Sequence, residues 1–322
     1  MVVIIIVSAL GVLLLALTLI FVFYIFALKA FHQIFDRPFP RPPYDKSPLS
    51  IKQDTLLGRG KNWFYSNRMD FMDVQITAYD GIKLSAYYRP ADDSATKKLV
   101  ILIHGWRDHP SDMGAYAHYF LLQGDCHVLI PHLRAHGMSQ GRFIGYGLFD
   151  SQDIIMWTDY LEKRLGEGVK TLLVGRSMGA TTALMAAGSR RLSKCVVGIV
   201  ADCPFDSLEK QILHVLHIRY KLRGKWMMKA ISRIAASRIG FPVKRASVLP
   251  IASRIRVPVL IFHGTEDRFV PIEMSESIYD RLVGPKRFVV IEGARHLMSF
   301  DRATERYCSE VYKLMKASGF LE

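Results

Sequence analysis

LLVGRSMGATTALMAA, Leu172 to Ala187, sets a serine between two glycines where an apolar, strand-like run gives way to an alanine-rich, helix-like one. A sharp turn from strand to helix needs neighbours without side-chain bulk, and Gly175-Arg176-Ser177-Met178-Gly179 supplies them. Such a turn lifts a hydroxyl to the top of a sheet and aims the next backbone N–H at the group that the hydroxyl attacks. A serine that only caps a helix gives the same local pattern. The choice therefore depends on what the rest of the chain can bring to Ser177.

Outward from this turn, the apolar runs repeat a theme. KLVILIH, HVLIPH, KTLLVG, CVVGIVAD, VPVLIFHG and RFVVIEG are short, rich in β-branched residues and almost continuously apolar, as strands buried on both faces are. VQITAYDGIKLSAYYRP alternates around Asp80-Gly81, a hairpin signal. Segments of helical length separate most of the runs, among them Met113 to Gln123, Asp150 to Arg164 and Met178 to Ser189. The alternation predicts an α/β chain with a mostly parallel, eight-stranded sheet and helices on both faces.

Between CVVGIVADCPF and VPVLIFHG the pattern changes. From Leu208 to Arg256 there is no strand-like run, and Leu208, Ile212, Val215, Leu216 and Leu222 fall at helical spacing behind an Asp206-x-x-Glu209 start that reads as a capping box. This predicts an inserted helical cap over the sheet edge, residues 208–256. Twelve of its residues are Lys or Arg against the single Glu209, a net +11 that is most of the chain's formal +14. No nucleic-acid recognition motif accompanies that charge, so the cap is expected either to meet an anionic lipid surface or to present a solvated basic face with no partner.

A serine hydroxyl attacks only when a base takes its proton and an acid fixes that base. His214, His217, His263 and His296 are the histidines after Ser177. The first two lie in the expected cap and His263 ends a strand, which leaves His296 in the loop after RFVVIEG. Between Ser177 and His296 the acid candidates are Asp202, Asp206, Asp267 and Asp280, with Glu266 beside Asp267. Asp267 leaves the carboxyl end of VPVLIF and is preferred; Asp202, at the end of the preceding strand, is its rival. An oxyanion would be held by the N–H of Met178 and by that of Trp106, where LVILIH runs into His104-Gly105-Trp106.

The first 28 residues contain no charged side chain. As a helix they would reach about 42 Å against an apolar bilayer core of about 30 Å, so they are expected to span a membrane. No basic segment precedes the run and no small-residue cleavage site ends it, unlike a signal peptide. Lys29, Arg37, Arg41 and Lys46 follow the span and nothing basic but the α-amino group precedes it, which places the body on the cytoplasmic side of the cell membrane. Five prolines in DRPFPRPPYDKSP suggest a linker, residues 29–65, that holds the body off the bilayer as a stalk. The four cysteines have no disulfide-framework or zinc spacing, and neither a metal nor a cofactor is expected.

The body from about Ser66 to Glu322 resembles the α/β-hydrolase superfamily. The resemblance is carried by His104-Gly105-Trp106, by LRAHGMSQG (Leu133 to Gly141), by Gly175 to Gly179, by HGTED (His263 to Asp267) and by GARH (Gly293 to His296). The body is most similar to the branch that holds serine-aminopeptidase-like, monoacylglycerol-lipase-like and bacterial membrane-anchored hydrolases. The resemblance implies Ser177 as nucleophile, Asp267 as acid, His296 as base and an oxyanion hole from Trp106 and Met178. Where relatives often read D-x-R-G-H-G, this chain has His132-Leu133-Arg134-Ala135-His136-Gly137. The expected activity is hydrolysis of a small acyl ester, lipid-like in character; thioester or peptide cleavage, and a silent binding module, are the competing readings.

Overall fold

The hairpin and the six apolar runs become eight strands of one sheet in a computed structural model that describes residues 1–37, 55–221 and 224–321. The strands are β1 (Met72–Thr77), β2 (Lys83–Arg89), β3 (Lys98–Ile103), β4 (His127–Pro131), β5 (Lys170–Arg176), β6 (Val196–Asp202), β7 (Val259–Gly264) and β8 (Lys286–Ile291), in the order β1-β2-β4-β3-β5-β6-β7-β8. β1 pairs antiparallel with β2 and β2 with β4; every later pairing is parallel. β3, β4, β5, β6 and β7 are buried almost throughout, which is why their sequences are continuously apolar.

Helices cover both faces. They are α1 (Val2–Phe35), α2 (Leu56–Ser66), α3 (Gly114–Leu122), α4 (Asp150–Leu165), α5 (Met178–Ala187), α6 (Leu208–Tyr220), α7 (Lys225–Arg238), α8 (Ile272–Arg281), α9 (Ser299–Arg302) and α10 (Thr304–Ala317). α4, α5, α8, the cap helices α6 and α7 and the end of α1 share one apolar core. α2, α3 and α10 share the other, on the opposite face.

The cap is the expected helical insertion, but its first helix starts differently from the expectation. Ser207, not Asp206, is the N-cap: its hydroxyl accepts the N–H of Lys210. Asp206 instead forms an ion pair with the Lys210 ammonium, and its carbonyl accepts the Val248 N–H and the Ser247 hydroxyl. Leu222 and Arg223 lie outside the described residues.

α1 is long and apolar enough to cross a membrane, and residues 1–26 bury none of their side chains against the body. It does not stop at Leu28. Ala27, Phe31 and Phe35 are completely buried in the core beneath the cap, and α1 packs on α7. Residues 29–37 are therefore part of the folded body, which corrects the stalk expected there: Phe31 and Phe35, four residues apart, present one apolar helix face for burial. Phe31 meets Phe143 at 5.6 Å and Phe35 meets Tyr146 at 5.4 Å between ring centroids. Residues 38–54, which hold most of the proline-rich stretch with Arg41 and Lys46, lie outside the described residues.

The expected linker is also interrupted at its far end. α2 begins at its N-cap Thr55 and buries Leu57 and Phe64 against α3. Gly60 is required by that contact, since a Cβ there would stand 2.3 Å from Ala115 Cα.

Candidate active site

Ser177 follows β5 with φ +51° and ψ −118°, a positive-φ conformation costly for a residue with a Cβ. The flanking glycines show why the turn can be so tight. A Cβ on Gly175 would lie 2.3 Å from the Gly179 carbonyl oxygen, and one on Gly179 would lie 2.1 Å from that of Ile103. The Ser177 N–H is held by the Asp202 carbonyl at 2.7 Å. The serine does not serve α5 as a side-chain cap; its hydroxyl faces elsewhere.

That hydroxyl meets His296. Ser177 Oγ is 3.0 Å from His296 Nε2, and His296 Nδ1 is 2.6 Å from Asp267 Oδ2. Burial alone would raise the Asp267 carboxyl, but the His296 charge and hydrogen bonds from His263, His296 and the Val270 N–H hold it well below the usual carboxylate range. Asp267 is thus an acceptor only, so Nδ1 donates to it and Nε2 is left to accept the serine proton. The second oxygen, Oδ1, accepts the N–H groups of Phe269 at 2.9 Å and Val270 at 2.8 Å, which fixes the carboxylate plane. The three residues come from the loops after β5, β7 and β8, all at the carboxyl edge of the sheet where open α/β folds place their ligands.

The rival acid does not reach the histidine. Asp202 points to the other side, where its Oδ2 accepts a 3.4 Å bond from the Tyr116 hydroxyl, and burial pushes its carboxyl up to about 6. Asp206 is engaged with Lys210, and His263 is locked between the Ser275 hydroxyl and the Val270 carbonyl. Cys203 Sγ lies within 4.8 Å of the ligand atoms of Asp267 and His296. Burial raises its thiol well above the ordinary value, so it stays protonated beside a carboxylate and an imidazole that already bind each other.

The loop after β3 prepares the other half of the site. The Gly105 N–H donates to Asp108 Oδ2 at 3.0 Å, and the Arg107 N–H donates to His136 Nε2 at 3.0 Å. Between them, the Trp106 N–H has no partner among the described residues, and neither has the N–H of Met178. Both residues line the same cavity as Ser177. Arg176, which precedes the serine, is completely buried and donates through Nε and Nη2 to Asp108 Oδ2 at 3.1 and 2.7 Å.

The departure from D-x-R-G-H-G also has a structural account. Ala135 stands at φ +60°, where the usual glycine would adopt the same backbone without strain. Arg134 is buried by a bidentate pair with Asp153, 2.7 Å on each arm, and by Asp80 at 2.9 Å. His132 packs edge-on against Tyr87 in place of the aspartate, and His136 supports Arg107 as described.

The cavity above Ser177 encloses about 150 Å³. Phe205, Leu208, Ile212, Leu216, Phe269 and Val270 give it an apolar wall. Sequence reasoning did not anticipate Tyr146 or the α1 residues Ala30, Gln33 and Ile34, which also line it.

The family model described as "Alpha/beta hydrolase family" matches residues 100–310. Among curated proteins, an uncharacterised Bacillus subtilis protein, YqkD, is 28% identical over 269 residues, covering 82% of this chain and 85% of its own. Among solved structures, the Pyrococcus furiosus esterase Pf2001 is similar with a TM-score of 0.62 and 26% identity, over 79% of this chain and 93% of the esterase. An acylaminoacyl peptidase of Pyrococcus horikoshii shares the fold, with a TM-score of 0.57 and 14% identity over 76% of this chain and 41% of the peptidase.

Proposed function

The chain belongs to the alpha/beta hydrolase family, and from that footing we propose that it is a membrane-anchored serine esterase with Ser177, His296 and Asp267 as its triad. The observation that carries this reading is the unbroken relay Asp267 Oδ2, His296 Nδ1, His296 Nε2, Ser177 Oγ, with steps of 2.6 and 3.0 Å, beside two backbone N–H groups that have no partner among the described residues. The chemistry follows from the geometry. As Ser177 Oγ bonds to the ester carbonyl carbon, its proton passes to His296 Nε2 and the carbonyl electron pair moves onto oxygen. The N–H groups of Trp106 and Met178 receive that oxyanion. Collapse of the intermediate breaks the bond to the leaving alkoxide, which takes the proton from Nε2 and departs as the alcohol. Water then adds to the acyl-serine by the same route, giving its proton to His296, and the acid is released with Ser177 restored. Asp267 holds the imidazole in the working tautomer and stabilises its cation in both halves.

An ester is preferred over a peptide because of the cavity wall. An aminopeptidase must hold the ammonium of its substrate, and among the described residues no acidic one lines the cavity. The resemblance to serine-aminopeptidase-like and monoacylglycerol-lipase-like hydrolases leaves both chemistries within the branch, so the discriminating experiment is a panel of p-nitrophenyl esters from acetyl to palmitoyl beside aminopeptidase substrates. Ester turnover with no peptide turnover is the expected result; the reverse would overturn it. α1 supplies the anchor in this reading, and Lys29 after the span favours a cytoplasmic body. Fluorescence from a carboxyl-terminal GFP fusion is expected; activity from the corresponding alkaline phosphatase fusion would reverse the orientation.

A further inference from the structure

The helix that reads as a membrane span does not end before the active site; it ends in it. Ala30, Gln33 and Ile34 line the same cavity as Ser177 and Met178. The last carbonyls of a helix lack partners within it, and here the walls of the site supply them. Ile34 O accepts the Tyr146 hydroxyl at 2.8 Å and Trp106 Nε1 at 3.3 Å. Gln33 O accepts Arg107 Nη2 at 2.8 Å, and Phe35 O accepts the Ile144 N–H at 2.7 Å. Trp106 therefore faces two ways, offering its backbone N–H beside Ser177 while its indole grips α1.

Resting on the esterase reading above, we propose that the last turns of α1 form a wall of the acyl-binding pocket, and that the substrate is an ester whose long acyl chain resides in the bilayer. A cavity of about 150 Å³ is the size that accommodates one benzene ring, about six carbons. A longer chain must leave the cavity, and α1 is the wall that continues beyond it. Ala30 lies only about 6 Å along the helix axis from Phe26. Above it on the same helix face, four and seven residues back, Phe26 and Phe23 are large, apolar and exposed. The chain of a membrane-borne ester can thus pass from lipid to Ser177 along one apolar helix face, while its carbonyl meets Trp106 and Met178.

The test uses the full-length protein in phosphatidylcholine nanodiscs and a palmitoyl-chain fluorophosphonate that carries a diazirine near the end of the chain. Once the phosphonate has bonded to Ser177, illumination crosslinks whatever lies beside the far end of the chain. Crosslinks between Phe21 and Ile34 are expected. Crosslinks confined to α6 and α7 would overturn this proposal and leave the esterase reading standing, whereas absence of any adduct on Ser177 would overturn both. A second readout is the ratio of activity on 4-methylumbelliferyl palmitate, dissolved in the disc, to activity on the acetate ester in buffer. Ala30→Phe, which fills the pocket from the α1 side, is expected to lower that ratio about tenfold or more; an unaltered ratio contradicts the proposal.

Discussion

Arg176 and Asp108 form an ion pair beneath the serine turn, Nη2 to Oδ2 at 2.7 Å, with side chains only 1% and 2% exposed. The same carboxylate oxygen accepts the Gly105 N–H at 3.0 Å. The residue before Ser177 and the residue before Trp106 are thus tied to one atom, which couples the position of the proposed nucleophile to that of the loop bearing the proposed second oxyanion donor. Arg176 has a role that the turn motif by itself does not reveal.

Asp108→Asn is expected to cost up to about 3 kcal/mol of folding stability, because it removes the nearer counter-charge of a buried guanidinium and leaves it Asp112 at 3.9 Å. In whatever folded protein remains, turnover of p-nitrophenyl acetate is expected to fall on the order of 100-fold as the Trp106 N–H loses its fixed position. Denaturant titration and steady-state kinetics check the two parts. Lost stability with full turnover would disprove the coupling.

Asp267→Asn and Asp202→Asn separate the two acids by function. The first removes the charge that fixes the His296 tautomer and is expected to lower kcat on the order of 10⁴-fold. The second alters a carboxyl that faces Tyr116 rather than the imidazole, and its effect on kcat is expected to stay within about tenfold. Equal losses would assign the acid wrongly.

Acid lability is a third expectation. Burial lowers the pKa of His104, His109, His132 and His136, to about 4 for His109 and His136. All four form one cluster with ring contacts of 5.0 Å for His104 and His136 and 5.6 Å for His109 and His132. These groups are depressed bases, so between about pH 6.5 and 4 the unfolded chain binds more protons than the folded one. Their contribution is whole above pH 6.5 and is lost as the pH falls toward 4, by up to about 3 kcal/mol for each of His109 and His136. Asp267, a depressed acid, adds its own loss only lower, as the pH falls through the ordinary carboxyl range near 4. Asp202, raised by burial to about 6, and Asp153, raised to about 7, oppose the histidine loss by binding protons in the folded state over the same range. The histidine contribution is therefore read by comparison: in thermal melts from pH 7.5 to 4.5, His109→Gln is expected to lose less Tm than the wild type. The same fall in both proteins would mean that the His109 imidazole titrates freely.

Gly179→Ala places a Cβ 2.1 Å from the Ile103 carbonyl oxygen, backbone that cannot move without parting β3 from β5. The expected cost is at least about 3 kcal/mol, read as a lowered denaturation midpoint. Gly11→Ala, with nothing within 4 Å, is the control expected to leave the midpoint in place.

Much of the fold was legible because it depends on local periodicity. The strand-forming runs are apolar on both faces, and the Asp80-Gly81 turn is marked by its own residues. Ser177, Asp267 and His296 were legible because each follows a strand and their order along the chain matches the resemblance. What stayed hidden was set by contacts between distant segments. The Arg176 partner lies 68 residues away, and nothing near Asp108 announces it. The docking of α1 was hidden for a different reason: Phe31 and Phe35 extend a run already read as lipid-facing, and only the shape of the Phe143 and Tyr146 surface distinguishes burial in protein from burial in a bilayer. The Asp206 cap failed by one residue, because Ser207 and Asp206 are both good helix starters and the ion pair with Lys210 decides between them.

The account stands most directly on Ser177 as the nucleophile. Full-length protein is treated with a small fluorophosphonate, and the adduct is mapped by mass spectrometry in the wild type and in Ser177→Ala. One adduct, on Ser177, absent from the variant, is the predicted result; equal labelling of both proteins, or an adduct on another residue, would contradict it.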